Sequence, residues 1–140
     1  MVEMIQIIYG RKGSGKSKKL VDMANEELAG AKGDIVFIDD DSRAMYDLRH
    51  EIRFVNCCDY SIDSTEKLYG FISGMMAQDY DISSIYIDSI KNVFEKGRDE
   101  KYQEFFTSLE KIAGANEIRV LMVLSGNEDQ TPEYLKKYII

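Results

Sequence analysis

The residues Gly10-Arg11-Lys12-Gly13-Ser14-Gly15-Lys16-Ser17 fit the spacing G-x-x-x-x-G-K-[ST] at every fixed position, directly after the apolar run Met4-Ile5-Gln6-Ile7-Ile8-Tyr9. Chemistry explains each fixed type. Glycines let the backbone curl without side chains in the way, so the N–H groups of Gly13 to Ser17 can point inward at an anion. Lys16 would reach the outer phosphates of a nucleoside triphosphate, and the Ser17 hydroxyl would ligate Mg²⁺. The helix expected over Ser17 to Ala29 would set its positive dipole end beneath those phosphates. Arg11, Lys12, Lys16, Lys18 and Lys19 crowd that helix start, where cations oppose the dipole unless a polyanion is bound. The candidate nucleotide-binding residues are therefore Gly10, Arg11, Lys12, Gly13, Ser14, Gly15, Lys16, Ser17 and Lys18.

Such a loop needs a strand before it, a helix after it, and further strands ending nearby. Apolar runs alternate with helix-period segments along the 140 residues, the pattern of an α/β protein with a mostly parallel sheet. Strands are predicted at about Glu3 to Tyr9, Asp34 to Asp39, Glu51 to Asn56, Ser84 to Asp88 and Ile118 to Leu124. Helices are predicted over about Ser64 to Gln78 and Asp99 to Ala113, with Asp63 and Glu66 as a capping box. A short helix over Ser42 to His50 would turn Ala44, Met45 and Leu48 inward. Gly70 and Gly74, one turn apart, suggest close helix packing on the sheet. Thr131-Pro132-Glu133 reads as a helix start, with Thr131 as cap and Pro132 in the first position. The length suits one domain covering residues 1–140.

A triphosphate site also needs a second metal partner, normally an aspartate ending another apolar strand. Ile85-Tyr86-Ile87-Asp88 supplies it. Ser17 and Asp88 are the expected metal residues, and Lys16 and Asp88 the candidate catalytic ones. Ser125, after the last strand, is a candidate contact near the terminal phosphate, as is Asn127, and both are equally suited to turns. Asp39-Asp40-Asp41-Ser42-Arg43 is open to two readings. Its acids and Ser42 could cap the short helix, or they could face the ligand crevice and hold metal or a substrate hydroxyl. Arg43, Arg49 and His50 could touch a phosphate there.

Charge and composition narrow the partners. A formal net charge of −7 argues against general nucleic-acid binding, because phosphate affinity comes from clustered cations. No apolar stretch reaches the length of a membrane span and no signal-peptide layout is seen, so a cytoplasmic protein is expected, with a protein partner or self-association left open. Cys57 and Cys58 are adjacent, which suits reduced residues in or near the core.

Two strands lie in sequence between the loop strand and the Asp88 strand. That order resembles the P-loop NTPase branch with an additional strand between these two, the RecA-like and thymidine-kinase-like ATP users. The resemblance implies a three-layer α/β fold with a five-stranded, mostly parallel sheet. In that branch a glutamate that activates water often follows the strand aspartate, and here Ser89 stands in its place. Asp39, Asp40, Asp41 or Glu95 could be a substitute base, and the sequence places none of them at hydrogen-bond range of an attacking water.

Over nearly its whole length the chain is similar to small stand-alone bacterial P-loop proteins often labelled twitching-motility ATPases. Lys16 to Leu20, Ile35 to Asp41, Tyr46 to Phe54, and Ser125-Gly126-Asn127 carry the likeness. It implies ATP binding. A weaker similarity joins Ile87-Asp88-Ser89-Ile90-Lys91-Asn92-Val93-Phe94 and the acidic strand end to type II thymidine kinases, whose acidic catalytic residue and four-cysteine zinc site are absent here. Three activities are thus in view: a slow Mg-dependent ATPase, a nucleotide-dependent switch, and a kinase for a small molecule or nucleoside.

Overall fold

The computed structural model describes residues 4–88, 90–94 and 100–140. Its strands are β1 (Ile5–Gly10), β2 (Asp34–Asp39), β3 (Arg53–Asn56), β4 (Ile82–Ile87) and β5 (Arg119–Ser125). They form one sheet in the order β1-β5-β4-β2-β3, with every neighbouring pair parallel. Helices α1 (Lys16–Leu28), α2 (Thr65–Gln78), α3 (Lys91–Phe94) and α4 (Glu100–Asn116) complete the frame with short 3₁₀ turns.

Strand periodicity divides the core into two layers, because successive side chains point to opposite faces. On one face, Ile8, Ile35, Phe37, Tyr86, Leu121 and Val123 pack with Leu20, Val21 and Ala24 of α1. On the other, Ile7, Val36, Ile38, Ile85, Ile87 and Met122 pack with Leu68 and Ile72 of α2 and Phe105 and Leu109 of α4. Two buried faces explain why the central strands read as unbroken apolar runs. The result is three layers, helix on sheet on helix.

The strand between the loop strand β1 and the Asp88 strand β4 is β5, the last in sequence. The two strands that intervene in sequence, β2 and β3, lie on the far side of β4. Sequence order therefore points to the right branch through the wrong strands, since parallel strands pair through crossovers and need not follow chain order. At the other edge, Ile139 bridges Ile7 in parallel, and the Ile140 N–H donates to the Ile7 carbonyl at 3.0 Å. That pairing covers part of the edge of β1.

Local chemistry departs from expectation at several places. Ser64, not Asp63, caps α2: its hydroxyl accepts from the Lys67 N–H at 3.1 Å, while Asp63 pairs with the Lys67 ammonium at 2.9 Å. A Cβ at Gly70 or Gly74 would meet nothing within 4 Å, so neither glycine is needed for close packing. Ala44 and Leu48 are buried, whereas Met45 is 44% exposed, because Arg43–Tyr46 forms a 3₁₀ turn whose spacing differs from an α-helix. Near the C-terminus, Pro132 occupies the cap and Glu133–Tyr138 is 3₁₀ as well. Cys57 is buried, with its thiol pushed up to about 12 chiefly by desolvation; Cys58 is exposed and its thiol donates to the Asp40 carbonyl.

A polar cluster holds the C-terminal half of α1 on the sheet. The Glu27 carboxylate accepts from Ser84 Oγ and Tyr86 Oη, each at 2.6 Å, and from Arg119 at 3.2 Å. Tyr86 also stacks on Phe37, and Phe37 on Phe54, with centroids 6.2 and 6.4 Å apart. Replacing Glu27 strands these donors. Glu27→Ala is expected to lower unfolding stability by about 2 kcal/mol or more, read as a lower urea midpoint at unchanged slope.

Candidate functional site

All five strands run the same way, so their C-terminal ends form one rim of the sheet. Register aligns that rim closely. Gly10 pairs with Ser125, Ile38 with Ile87, and Asp39 with Asn56, which leaves Asp39 and Asp88 side by side one residue past the Ile38–Ile87 pair. The Asp88 N–H donates to the Ile38 carbonyl at 2.9 Å.

From Gly10 the chain turns into the loop and reaches α1 at Lys16. Gly13 and Gly15 have φ of 82° and 84°, the left-handed region that L side chains enter at a cost of about 1–2 kcal/mol. Space is not the constraint at either glycine, for nothing lies within 4 Å of an added Cβ. No side chain caps the start of α1 and no acid occupies its first turn. The first N–H groups of any α-helix lack intrahelical partners, and here no side chain or acid of α1 satisfies them, an arrangement that favours an anion.

Lys16 is 8% exposed. Its ammonium donates to the Arg11 carbonyl and lies 3.4 Å from Ser14 Oγ. Burial holds its pKa below the usual lysine value, opposed by the charge of Asp88. A poorly solvated ammonium beside the loop is a strong point of attraction for phosphate oxygens.

Beside it, Ser17 Oγ donates to Asp88 Oδ1 at 3.0 Å. Hydroxyl and carboxylate oxygens form a hard donor set that fits Mg²⁺, which prefers one or two carboxylates and keeps water for its other positions. Ser17 and Asp88 are the residues that would hold it.

The three adjacent aspartates separate by role. Asp41 accepts from its neighbour Arg43 at the backbone N–H and the guanidinium, which pulls its carboxyl below the ordinary range. Asp40 Oδ2 accepts from the Lys91 N–H at 3.2 Å, at the start of α3. Asp39 is only 6% exposed, as is Asp88. Desolvation first and the Asp88 charge second raise its carboxyl to about 8, against a smaller opposing contribution from the Asp40 N–H. Oxygens of all three acids lie within 4.8 Å of one another. Ser42 begins the 3₁₀ turn without a side-chain cap bond.

A cavity of about 560 Å³ lies over the loop, lined by Lys12, Gly13, Gly15, Lys16, Ser17, Lys18 and Ser125, and by Asp39, Arg43 and Asp88. Gly10, Arg11 and Ser14 shape the loop without lining the cavity. Asn127 turns away to cap the next 3₁₀ turn, its side chain accepting from the Asp129 N–H at 3.0 Å. His50 is 96% exposed and pairs with Glu51, and neither it nor Arg49 lines the cavity. Ser89 and Glu95 lie outside the described residues. Asp39 is the residue that sequence could not single out, since it differs from Asp40 and Asp41 only by its burial and by the partners those two take.

Comparison with known proteins bears on this frame. No protein family and no curated protein matches the chain. Among solved structures it is similar to the flagellar accessory protein FlaH from Methanocaldococcus jannaschii, with 14% identity and a TM-score of 0.56. The match covers 96% of this chain and 66% of FlaH, so the chain spans less than two thirds of that protein. The fold is RecA-like. It is shared at the level of a P-loop-like α/β architecture, with β5 between the loop strand and the Asp88 strand. No described helix is long and apolar enough to cross a membrane.

The buried acid gives a pH signature. Between the ordinary aspartate value near 3.8 and about 8, folded Asp39 holds a proton that the unfolded chain does not. The unfolded state binds fewer protons there, so this group's contribution to stability falls as pH rises through the window and levels off above it. Asp39→Asn is expected to be more stable than the parent at pH 8 and to show a flatter decline from pH 5 to 8. Urea midpoints measured at several pH values without nucleotide provide the check; equal slopes for both proteins would contradict it.

Proposed function

We propose that this chain binds Mg-ATP at the Gly10–Ser17 loop and acts as a slow ATPase or a nucleotide-dependent switch. One observation carries the reading: the loop places Ser17 Oγ on the Asp88 carboxylate at 3.0 Å, directly beside the buried Lys16. Phosphate and metal groups thus share one small region.

In this reading the N–H groups of the loop and the first turn of α1 bind the phosphate oxygens, with Lys16 between the outer two phosphates. Ser17 and Asp88 hold Mg²⁺, whose chemistry is to neutralise charge developing on the phosphoryl oxygens. Asp39, side by side with Asp88 at the strand ends, is the carboxylate placed to accept a proton from an attacking group once it is ionised, above about pH 8. The residue types around the loop distinguish no base of the nucleotide, and ATP is favoured by the resemblance to ATP users. FlaH is named an accessory protein. A switch that answers to bound nucleotide is compatible with such a role, and so is a partner or oligomer that changes with nucleotide.

Calorimetry with ATP, GTP and ADP, with and without Mg²⁺, tests binding. Lys16→Ala is expected to weaken Mg-ATP by at least about tenfold, the loss of one charged hydrogen bond. Asp88→Asn should reduce the benefit of added Mg²⁺ while leaving metal-free binding close to the parent. Phosphate release that survives Lys16→Ala would exclude hydrolysis at this site, and robust turnover by the isolated chain would exclude a purely non-catalytic switch.

A further inference from the structure

The site continues past the Ser17–Asp88 pair. A second cavity of about 610 Å³ opens between α1 and the Arg43–Tyr46 turn. It shares Ser17, Lys18, Asp39, Arg43 and Asp88 with the cavity over the loop, so the two lobes meet at the buried carboxylates. Val21 and Ala44 give this lobe an apolar wall, and Asp22 and Asp47 stand on its rim. An attacking water occupies roughly 30 Å³. The lobe is far larger, within the range of about 300–1,000 Å³ found for small-molecule sites.

Its charges narrow the occupant. Lys18 is engaged by Asp22 at 2.9 Å, and Arg43 by Asp41 at 2.8 Å. Asp39 and Asp47 form no ion pair among the described residues. The lobe thus keeps a carboxylate outside any described ion pair, Asp47, at its outer rim, while the Asp39 and Asp88 carboxyl groups at its inner end offer oxygen acceptors. Anions are repelled, whereas hydroxyl groups and ammonium groups find acceptors, and an aliphatic segment finds Val21 and Ala44.

We propose that this second lobe binds a small non-anionic alcohol, an amino alcohol being the best chemical match, which accepts a phosphoryl group. The inference rests on the Mg-ATP reading above and names the second substrate of that site. The acceptor's hydroxyl sits at the junction of the lobes, and its ammonium or second hydroxyl reaches Asp47. Its oxygen attacks the terminal phosphorus of ATP, forming one P–O bond. The bond from that phosphorus to the bridging oxygen breaks, and the electron pair leaves with ADP. The hydroxyl proton passes to solvent water in the lobe. Slow hydrolysis follows, since water fills the lobe poorly and is held in no fixed direction.

Calorimetry in the presence of Mg-ADP would use ethanolamine, choline and glycerol as probes, with glycerate and AMP as anionic controls. ³¹P NMR of ATP with each probe would follow transfer. Saturable binding of at least one non-anionic probe is expected, with a phosphomonoester signal growing in step with ADP. Ala44→Leu, which narrows the lobe, should weaken that probe about tenfold or more. Asp47→Asn should weaken ethanolamine and choline more than glycerol. The inference is overturned if a protein that binds Mg-ADP takes none of the three probes, takes only the anions, or binds equally well as Ala44→Leu. Binding without phosphomonoester overturns the acceptor role. Failure of the wild-type chain to bind Mg-ADP would instead overturn the nucleotide reading, and this inference with it.

Discussion

Two carboxylates end adjacent parallel strands, each 6% exposed and each in the other's electric field. Burying one unpaired charge is unfavourable, and burying two side by side is more so. The fold bears this arrangement because every other part of the site is built around it. Ser17 donates to one carboxylate and the Asp40 N–H to the other. Near neutral pH, proton uptake by Asp39 relieves the remaining repulsion. A divalent cation or a proton-donating ligand would relieve it in another way.

Helix α1 links that rim to the core. At its start, Ser17 meets Asp88; near its end, Glu27 gathers Ser84, Tyr86 and Arg119. Between these ends Leu20, Val21 and Ala24 pack on the sheet. The helix is thereby held at both ends and along its buried face, so its uncapped N-terminus cannot drift from the strand ends. Strand β5 contributes by separation, setting the loop strand one place away from the Asp88 strand while returning Ser125 to the side of Gly10.

Much of this was legible in the residues because it is local. The loop is defined by glycine conformation and by two side chains at fixed offsets, and a strand ending in aspartate is a short pattern too. Core faces followed from periods of two and of three to four. Other expectations failed where the deciding contact was not in the pattern. Asp63 was a plausible cap, but Ser64 sits at the right backbone position for the Lys67 N–H. Gly70 and Gly74 suggested close packing, yet they lie on the solvent side of α2, a matter of which face the helix turns to the sheet. Asn127 suited a phosphate contact and a turn equally, and its side-chain oxygen accepts from the Asp129 N–H in a turn.

Residue order was enough to establish a glycine-rich loop between a strand and a helix, an aspartate ending another strand, and a layered α/β plan. These depend on neighbours in the chain. Strand adjacency came from folding, because crossovers let β5, the last strand, lie between β1 and β4. So did the distinct parts played by Asp39, Asp40 and Asp41. Three identical side chains in a row differ chemically only through what surrounds them, and only packing buries Asp39 beside Asp88 while its neighbours bind Lys91 and Arg43. The second lobe belongs to the same category, since a cavity is a property of surfaces brought together from Val21, Ala44 and Asp88, which are distant along the chain.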